Sequence, residues 1–175
     1  DYIHHQPCSA EDNCPGSRDE IYLNIGESNA HGVELYLGYL DGPWESQPYA
    51  NLTWMKRRNA FDTFSTWDSG VPELSGRIGL RWEGMLAAAP TVWTDFFLRG
   101  ESNSDLQEPG SVRSVLEAKK SWITANITTG VNFGRDGMYQ VGLDLLNLTD
   151  KRYIASSENV YGAERSVAVK LTFNW

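Results

Sequence analysis

Polar and apolar residues alternate with period two along most of the chain from Glu20 onward. Between 76 and 82, Ile78, Leu80 and Trp82 share one parity, while Arg77, Gly79 and Arg81, continued by Glu83, share the other. Near the end Val167, Val169, Leu171, Phe173 and Trp175 alternate with Ser166, Ala168, Lys170, Thr172 and Asn174. Tyr139, Val141, Leu143 and Leu145 alternate with Gln140, Gly142 and Asp144; Ile123, Ala125, Ile127, Val131 and Phe133 alternate with Thr124, Asn126, Thr128, Gly130 and Asn132. A helix gathers residues three and four apart on one face, whereas a strand gathers every second one. The pattern predicts an all-β chain of antiparallel strands, each with one apolar and one polar face.

The connections alternate in length. Short ones fall at 41–48, 84–90 and 134–137, each with Gly or Pro to break the ladder. Long polar ones fall at 58–74, 101–119 and 149–164. Seven strands are then expected, at about 20–40, 49–58, 75–84, 91–100, 120–133, 138–148 and 165–175. The first is unusually long, with Val33, Leu35, Leu37 and Tyr39 on one parity and Glu27, Asn29 and His31 breaking it with polar residues. A hairpin at Ser28–Asn29 is the rival reading and would make eight strands. Segregating short turns to one end and long loops to the other is the habit of outer-membrane barrels, whose periplasmic turns are short and extracellular loops long. Val33 to Tyr39 would then face lipid and the upper half of that strand would stand clear of the membrane. Seven strands do not close a barrel of the usual even-numbered kind, and an open edge in hydrocarbon leaves unpaired backbone groups. The sequence is therefore read as the C-terminal portion of a larger barrel, with 1–19 a remnant of an extracellular loop and 20–175 the strands.

Composition narrows the alternatives. Fifteen Lys and Arg against 23 Asp and Glu give a net charge of −8, which disfavours nucleic acid as a partner. Seven Trp, eight Tyr and six Phe carry too much apolar surface for a disordered chain. No run approaches about 18 consecutive apolar residues, so no helix is a candidate membrane span, and nothing at the start reads as a signal peptide. Catalysis finds no nucleophile–base grouping at recognisable spacing, and neither a catalytic residue nor a cofactor is expected. Three Asn-x-Thr triplets, at Asn51, Asn126 and Asn147, fall within or at the ends of strands and are read as chance rather than glycosylation sites.

Four stretches, in order, resemble the C-terminal barrel of TonB-dependent outer-membrane receptors. The run from Asn24 through Gly26, Ala30 and Gly32-Val33-Glu34 is similar to that family's Asn-x-Gly…Ala…Gly-Val-Glu strand, and Val71-Pro72 to its Val-Pro entry. Asn147-Leu148-Thr149-Asp150-Lys151-Arg152-Tyr153 resembles its Asn-Leu-x-Asp-Lys-x-Tyr stretch. Tyr161-Gly162-Ala163-Glu164-Arg165 before an alternating strand with a final aromatic resembles its closing segment, with Ala163-Glu164 in place of Pro-Gly. The resemblance implies a barrel of roughly 22 strands with a plugged lumen, located in the cell outer membrane. It implies energy supplied by TonB, and uptake of a metal chelate: a ferric siderophore first, then haem, cobalamin or another metal complex. Plug, TonB contact and the earlier strands would lie outside 1–175. Two other classes stay in view: a small self-contained outer-membrane barrel with a structural or adhesive role, and a soluble β-sandwich binding module.

Several residues merit a role. Arg77, Arg81, Glu83, Asp144 and Lys170 share the lumen-facing parity and are expected to contact the plug or brace the wall. Loop aromatics Phe61, Phe64, Trp67, Tyr153 and Tyr161 are candidates to stack on a planar ligand, with Arg165 holding an anion; each is weighed against burial of one loop aromatic on another. Trp54, Trp82 and Tyr39 are read as interfacial aromatics, and Trp175 as a C-terminal aromatic of the kind outer-membrane proteins present to their assembly machinery. Cys8 and Cys14, in a polar segment of an oxidising compartment, are expected to form a loop disulfide. Their neighbours His4 and His5 raise a metal site as the lesser alternative.

Overall fold

The computed structural model describes residues 2–7, 20–40, 42–62, 64–85, 90–106, 119–156 and 160–173. Among them lie ten strands: β1 (Tyr2–Pro7), β2 (Glu20–Ile25), β3 (Glu27–Gly38), β4 (Ser46–Ala60), β5 (Ser65–Thr66), β6 (Leu74–Met85), β7 (Thr91–Glu101), β8 (Trp122–Phe133), β9 (Tyr139–Leu146) and β10 (Ser166–Phe173). Among the described residues the helical content is two single 3-10 turns, Pro43–Glu45 and Arg135–Gly137, both in short connections. The main sheet runs β10-β9-β8-β7-β6-β4-β3, with β5 added beside β4. Among the described residues every pairing is antiparallel and, apart from β4 with β6, which have the two-residue β5 between them in the chain, joins chain neighbours, so the sheet is a meander.

Six of the seven expected strands are present with boundaries moved by a few residues; the expected single strand at 20–40 is instead divided into β2 and β3, which belong to different sheets. The hairpin at Ser28–Asn29 does not form: Ser28 pairs with Asn59 and Asn29 with Arg58 inside a continuous ladder. The chain instead bends at Gly26 and changes partner there, β2 pairing with β1 and β3 with β4. The strand β1 was not expected. Six residues with paired histidines and a terminal proline offer little alternation to read, and their order comes from the ladder to β2.

Cross-strand register shows how the two faces segregate, because residues opposite one another point the same way. Leu35, Leu52 and Gly76 form one row, and Ala50, Ile78, Leu98 and Ala125 another. Leu80, Phe96, Ile127, Leu145 and Val167 continue the same face to the far edge, as do Tyr139 and Phe173. All seven strands therefore present one continuous apolar face. The opposite face carries Arg77, Arg81, Asp95, Asn126, Thr128 and Asp144.

The apolar face is not a core. Val169 is 67% exposed, Val33 61% and Ile78 54%, whereas the buried hydrophobic residues Phe97 and Trp122 belong to the polar face. Above Val33 and Trp54 the same parity turns polar, with His31 opposite Lys56 and Asn29 opposite Arg58. Below, aromatics collect at the short-turn end, where Tyr139 lies 5.5 Å from Phe133 and 5.8 Å from Phe173, ring to ring. Trp54 and Trp82 both lie on the apolar face, near the long-loop and short-turn ends respectively. Among the described residues β3 and β10 are not paired with each other, so the sheet is open.

Candidate functional site

The polar face is organised around Asp95, at the centre of β7. Tyr49 of β4 donates its hydroxyl to both carboxylate oxygens, at 3.0 and 3.1 Å, and Arg77 of β6 donates from Nη2 at 2.6 Å. The Arg77 guanidinium lies over Phe97, its central carbon 3.5 Å from the ring centroid and 5.4 Å from that of Tyr49. This explains how Phe97 can be buried on a polar face: a cation covers the ring and a carboxylate holds the cation in place. Gly79 in β6 makes room, since a Cβ there would meet the Tyr49 ring at 2.4 Å.

Two further ion pairs continue the face. Lys170 reaches Asp144 at 2.5 Å, and Arg81 meets Glu83 at a looser 3.5 Å. Arg77, Arg81, Glu83, Asp144 and Lys170, which share one parity in the sequence, thus lie on one face of the sheet, and each has an oppositely charged neighbour. Asp95 was missed, although it shares their character. Its importance depends on which positions of β4 and β6 lie opposite it, and alternation within one strand carries no register. A cleft of about 280 Å³ opens beside this network towards the short-turn end, lined by Tyr36, Tyr39, Gln47, Tyr49, Arg77 and Arg81. Phenols, amides and guanidinium groups on a wall of this kind suit hydrogen bonding to a polar protein segment or a small polar ligand.

Asp95→Ala is expected to cost about 1–3 kcal/mol, since it strands the Arg77 charge and the Tyr49 hydroxyl. The lower end of that range is set by Arg77, whose side chain is 37% exposed and so partly solvated. Chemical unfolding of the two proteins checks this.

At the long-loop end the candidate ligand residues are spread out. In the connection from β9 to β10, Asn147 is 3% exposed and adopts a left-handed φ of 52°. Its Nδ2 donates to the carbonyls of Lys151 at 2.8 Å and Ala163 at 3.0 Å, while its Oδ1 accepts the Lys151 N–H at 2.8 Å. Its own N–H is held by Asn126 Oδ1 at 3.0 Å. Asp150 receives the Arg165 N–H at 2.9 Å, so both ends of the loop are tied at its base. The stretch 147–153 is therefore a knot that sets the loop's exit.

Tyr153 stacks on Trp122 with ring centroids 4.1 Å apart, and its carbonyl accepts the Gly162 N–H at 2.9 Å. Tyr161 is exposed but lies under the Arg152 guanidinium at 4.2 Å. Arg165 contributes its backbone to the knot and leaves its side chain exposed. In the connection after β4, Phe61 stacks on Phe64 at 5.0 Å. Trp67 lies edge-on to His31 at 6.1 Å and borders a polar cleft of about 310 Å³ with Asp68, Glu73 and Asp105. Trp67 thus borders a cleft that Tyr153 and Tyr161 do not share. Arg152, which sequence reasoning passed over, is the cation that covers Tyr161.

Cys8, Cys14 and Trp175 lie outside the described residues, and His4 and His5 fall in β1. Among the described residues no group of three or more His, Cys, Asp and Glu side chains comes together to hold a metal ion. Compared with known protein families, with characterised proteins and with solved structures, the chain matches none.

Proposed function

We propose that this sheet is a section of an outer-membrane β-barrel wall, belonging to a TonB-dependent receptor that imports a metal chelate, ferric siderophore being the first candidate. The observation that carries the reading is the exposed apolar face spanning all seven strands. Contiguous exposed apolar surface on this scale marks contact with a membrane or another protein. Lipid is favoured because the face is bounded: polar rows lie above Val33 and Trp54, and aromatic residues below. The strands have the length required, β6, β7 and β8 being 12, 11 and 12 residues against the roughly 9–11 that cross hydrocarbon.

On this reading the polar face looks inward, and the Tyr49–Asp95–Arg77 network and its cleft meet the plug. The remaining strands pair with the free edges of β3 and β10, since an unpaired edge in hydrocarbon is costly. The long loops, with Trp67 on one and Tyr153, Tyr161 and Arg165 on another, face the exterior where the chelate arrives. The receptor assignment within this wall rests on the four sequence stretches that resemble the family.

Cell fractionation with an uptake assay tests both levels. The protein is expected in the detergent extract of the outer membrane, with gel mobility that changes on boiling. Accumulation of a labelled ferric chelate should require it and should stop when the proton-motive force is collapsed. Recovery in the aqueous fraction overturns the barrel wall; membrane location with energy-independent uptake, or with none, overturns the receptor.

A further inference from the structure

The apolar face has one place where the wall recedes. Gly76 of β6 and Gly100 of β7 are register partners on that face, the one pair of facing glycines among its described positions. Leu52, Ile78, Leu98 and Ile123 stand around them and border a groove of about 720 Å³, within the roughly 300–1,000 Å³ typical of small-ligand sites. It lies where β6 begins and β7 ends, at the long-loop end, on the same row system as Leu74 and Trp54.

The mouth of the groove differs in chemistry from its floor. Ser102, Ser121, Thr149 and Lys151 line it, whereas Arg99 and Glu101 share the opposite parity with Arg77, and the Arg99 guanidinium lies over the Trp122 ring at 5.7 Å. Glu101 is already engaged, accepting the Ser156 N–H at 2.9 Å. Lys151 is fixed by its backbone alone, through the Asn147 side chain, and its own side chain is exposed. An apolar slot opening beneath hydroxyl-bearing residues and the exposed Lys151 is complementary to a molecule with a hydrocarbon tail and an anionic head.

We propose that this groove is a lipid site: it seats one acyl chain of an anionic, phosphate-bearing membrane lipid over Gly76 and Gly100, between the Leu52 and Ile123 side chains that lean in from either end of the row, with the phosphate against Lys151. The site rests on the membrane reading above but not on the receptor assignment. The glycines provide the depth, Leu52, Leu98 and Ile123 the walls, and Lys151 the preference for negative charge.

The test uses the whole protein in phosphatidylcholine nanodiscs carrying a trace of phosphatidylglycerol with a photoreactive group on its acyl chain, and maps the cross-links by mass spectrometry. Labelling should concentrate at Ile78, Leu98 and Ile123, fall about fivefold or more in Lys151→Glu, and persist in Lys151→Arg. Lys151→Glu leaves the loop knot intact, because the knot uses only the backbone of that residue. Labelling spread evenly over the face, Val169 and Leu171 included, or unchanged by Lys151→Glu, overturns the lipid site and leaves the membrane reading standing. No acyl-chain labelling anywhere on the face overturns both.

Discussion

Replacing Ile78 by Arg is expected to destabilise the protein by about 2–4 kcal/mol in a bilayer, roughly 30- to 1,000-fold in the folding equilibrium. Ile78 lies midway along β6, between Ala50 and Leu98 in its row, and is 54% exposed. If water covered that face, an exposed Ile→Arg change would fall within about ±0.5 kcal/mol. In hydrocarbon the guanidinium must be dehydrated or drag water in with it, and nothing in the row offers a counter-charge. The companion Thr128→Arg places the same charge at similar depth on the other face, beside Asp95 and Asp144, its register partners. It should be near neutral. Urea titrations of both variants in phosphatidylcholine vesicles make the comparison, and equal stabilities would remove the apolar face from lipid and the proposed wall with it.

The second large effect is expected at Asn147. Asn147→Ala removes three hydrogen bonds of 2.8–3.0 Å at a position 3% exposed. Each is worth about 0.5–1.5 kcal/mol, and the Lys151 N–H would be left without its acceptor. Alanine also tolerates a φ of 52° less well than Asn, whose short polar side chain suits that region. A loss of about 2–4 kcal/mol follows. It should appear first as raised hydrogen exchange and proteolysis between β9 and β10, not throughout the sheet. Asn147→Asp keeps the acceptor and loses the two donor bonds, so it should fall between the two; an Asp variant as unstable as Ala would show that the acceptor bond to Lys151 contributes nothing.

Much of the sheet was legible because alternation is a local property. Val167, Val169 and Leu171 announce a half-polar strand without reference to any neighbour, and Gly or Pro clusters mark where ladders stop. The polar set Arg77, Arg81, Glu83, Asp144 and Lys170 followed from the same parity. What stayed hidden depends on register and on contacts between distant segments. Asp95 becomes a hub only once Tyr49 and Arg77 are known to flank it, 46 and 18 residues away. The strand β1 owes its order to β2, not to its own pattern. Tyr153 reads from sequence as a loop aromatic free to meet a ligand, yet Trp122, on a strand that ends far along the chain from it, takes one of its faces. The asparagine at 147 carries motif resemblance in the sequence, but its work of tying two ends of a loop shows only in three dimensions.

The strictly sequential pairing of the sheet has a consequence for how the protein is made. Each strand of the meander pairs with the next one along the chain, the two-residue β5 between β4 and β6 excepted, and among the described pairings no crossover has to be threaded. Closing each hairpin costs only the entropy of its own connection, which grows slowly with length. The sheet can therefore grow one hairpin at a time from either edge, each addition presenting a fresh edge as the template for the next. Stability then accumulates by nearest-neighbour increments, as in repeat arrays. Loss of an outermost strand should shorten the sheet by one increment and leave the rest of the ladder in register.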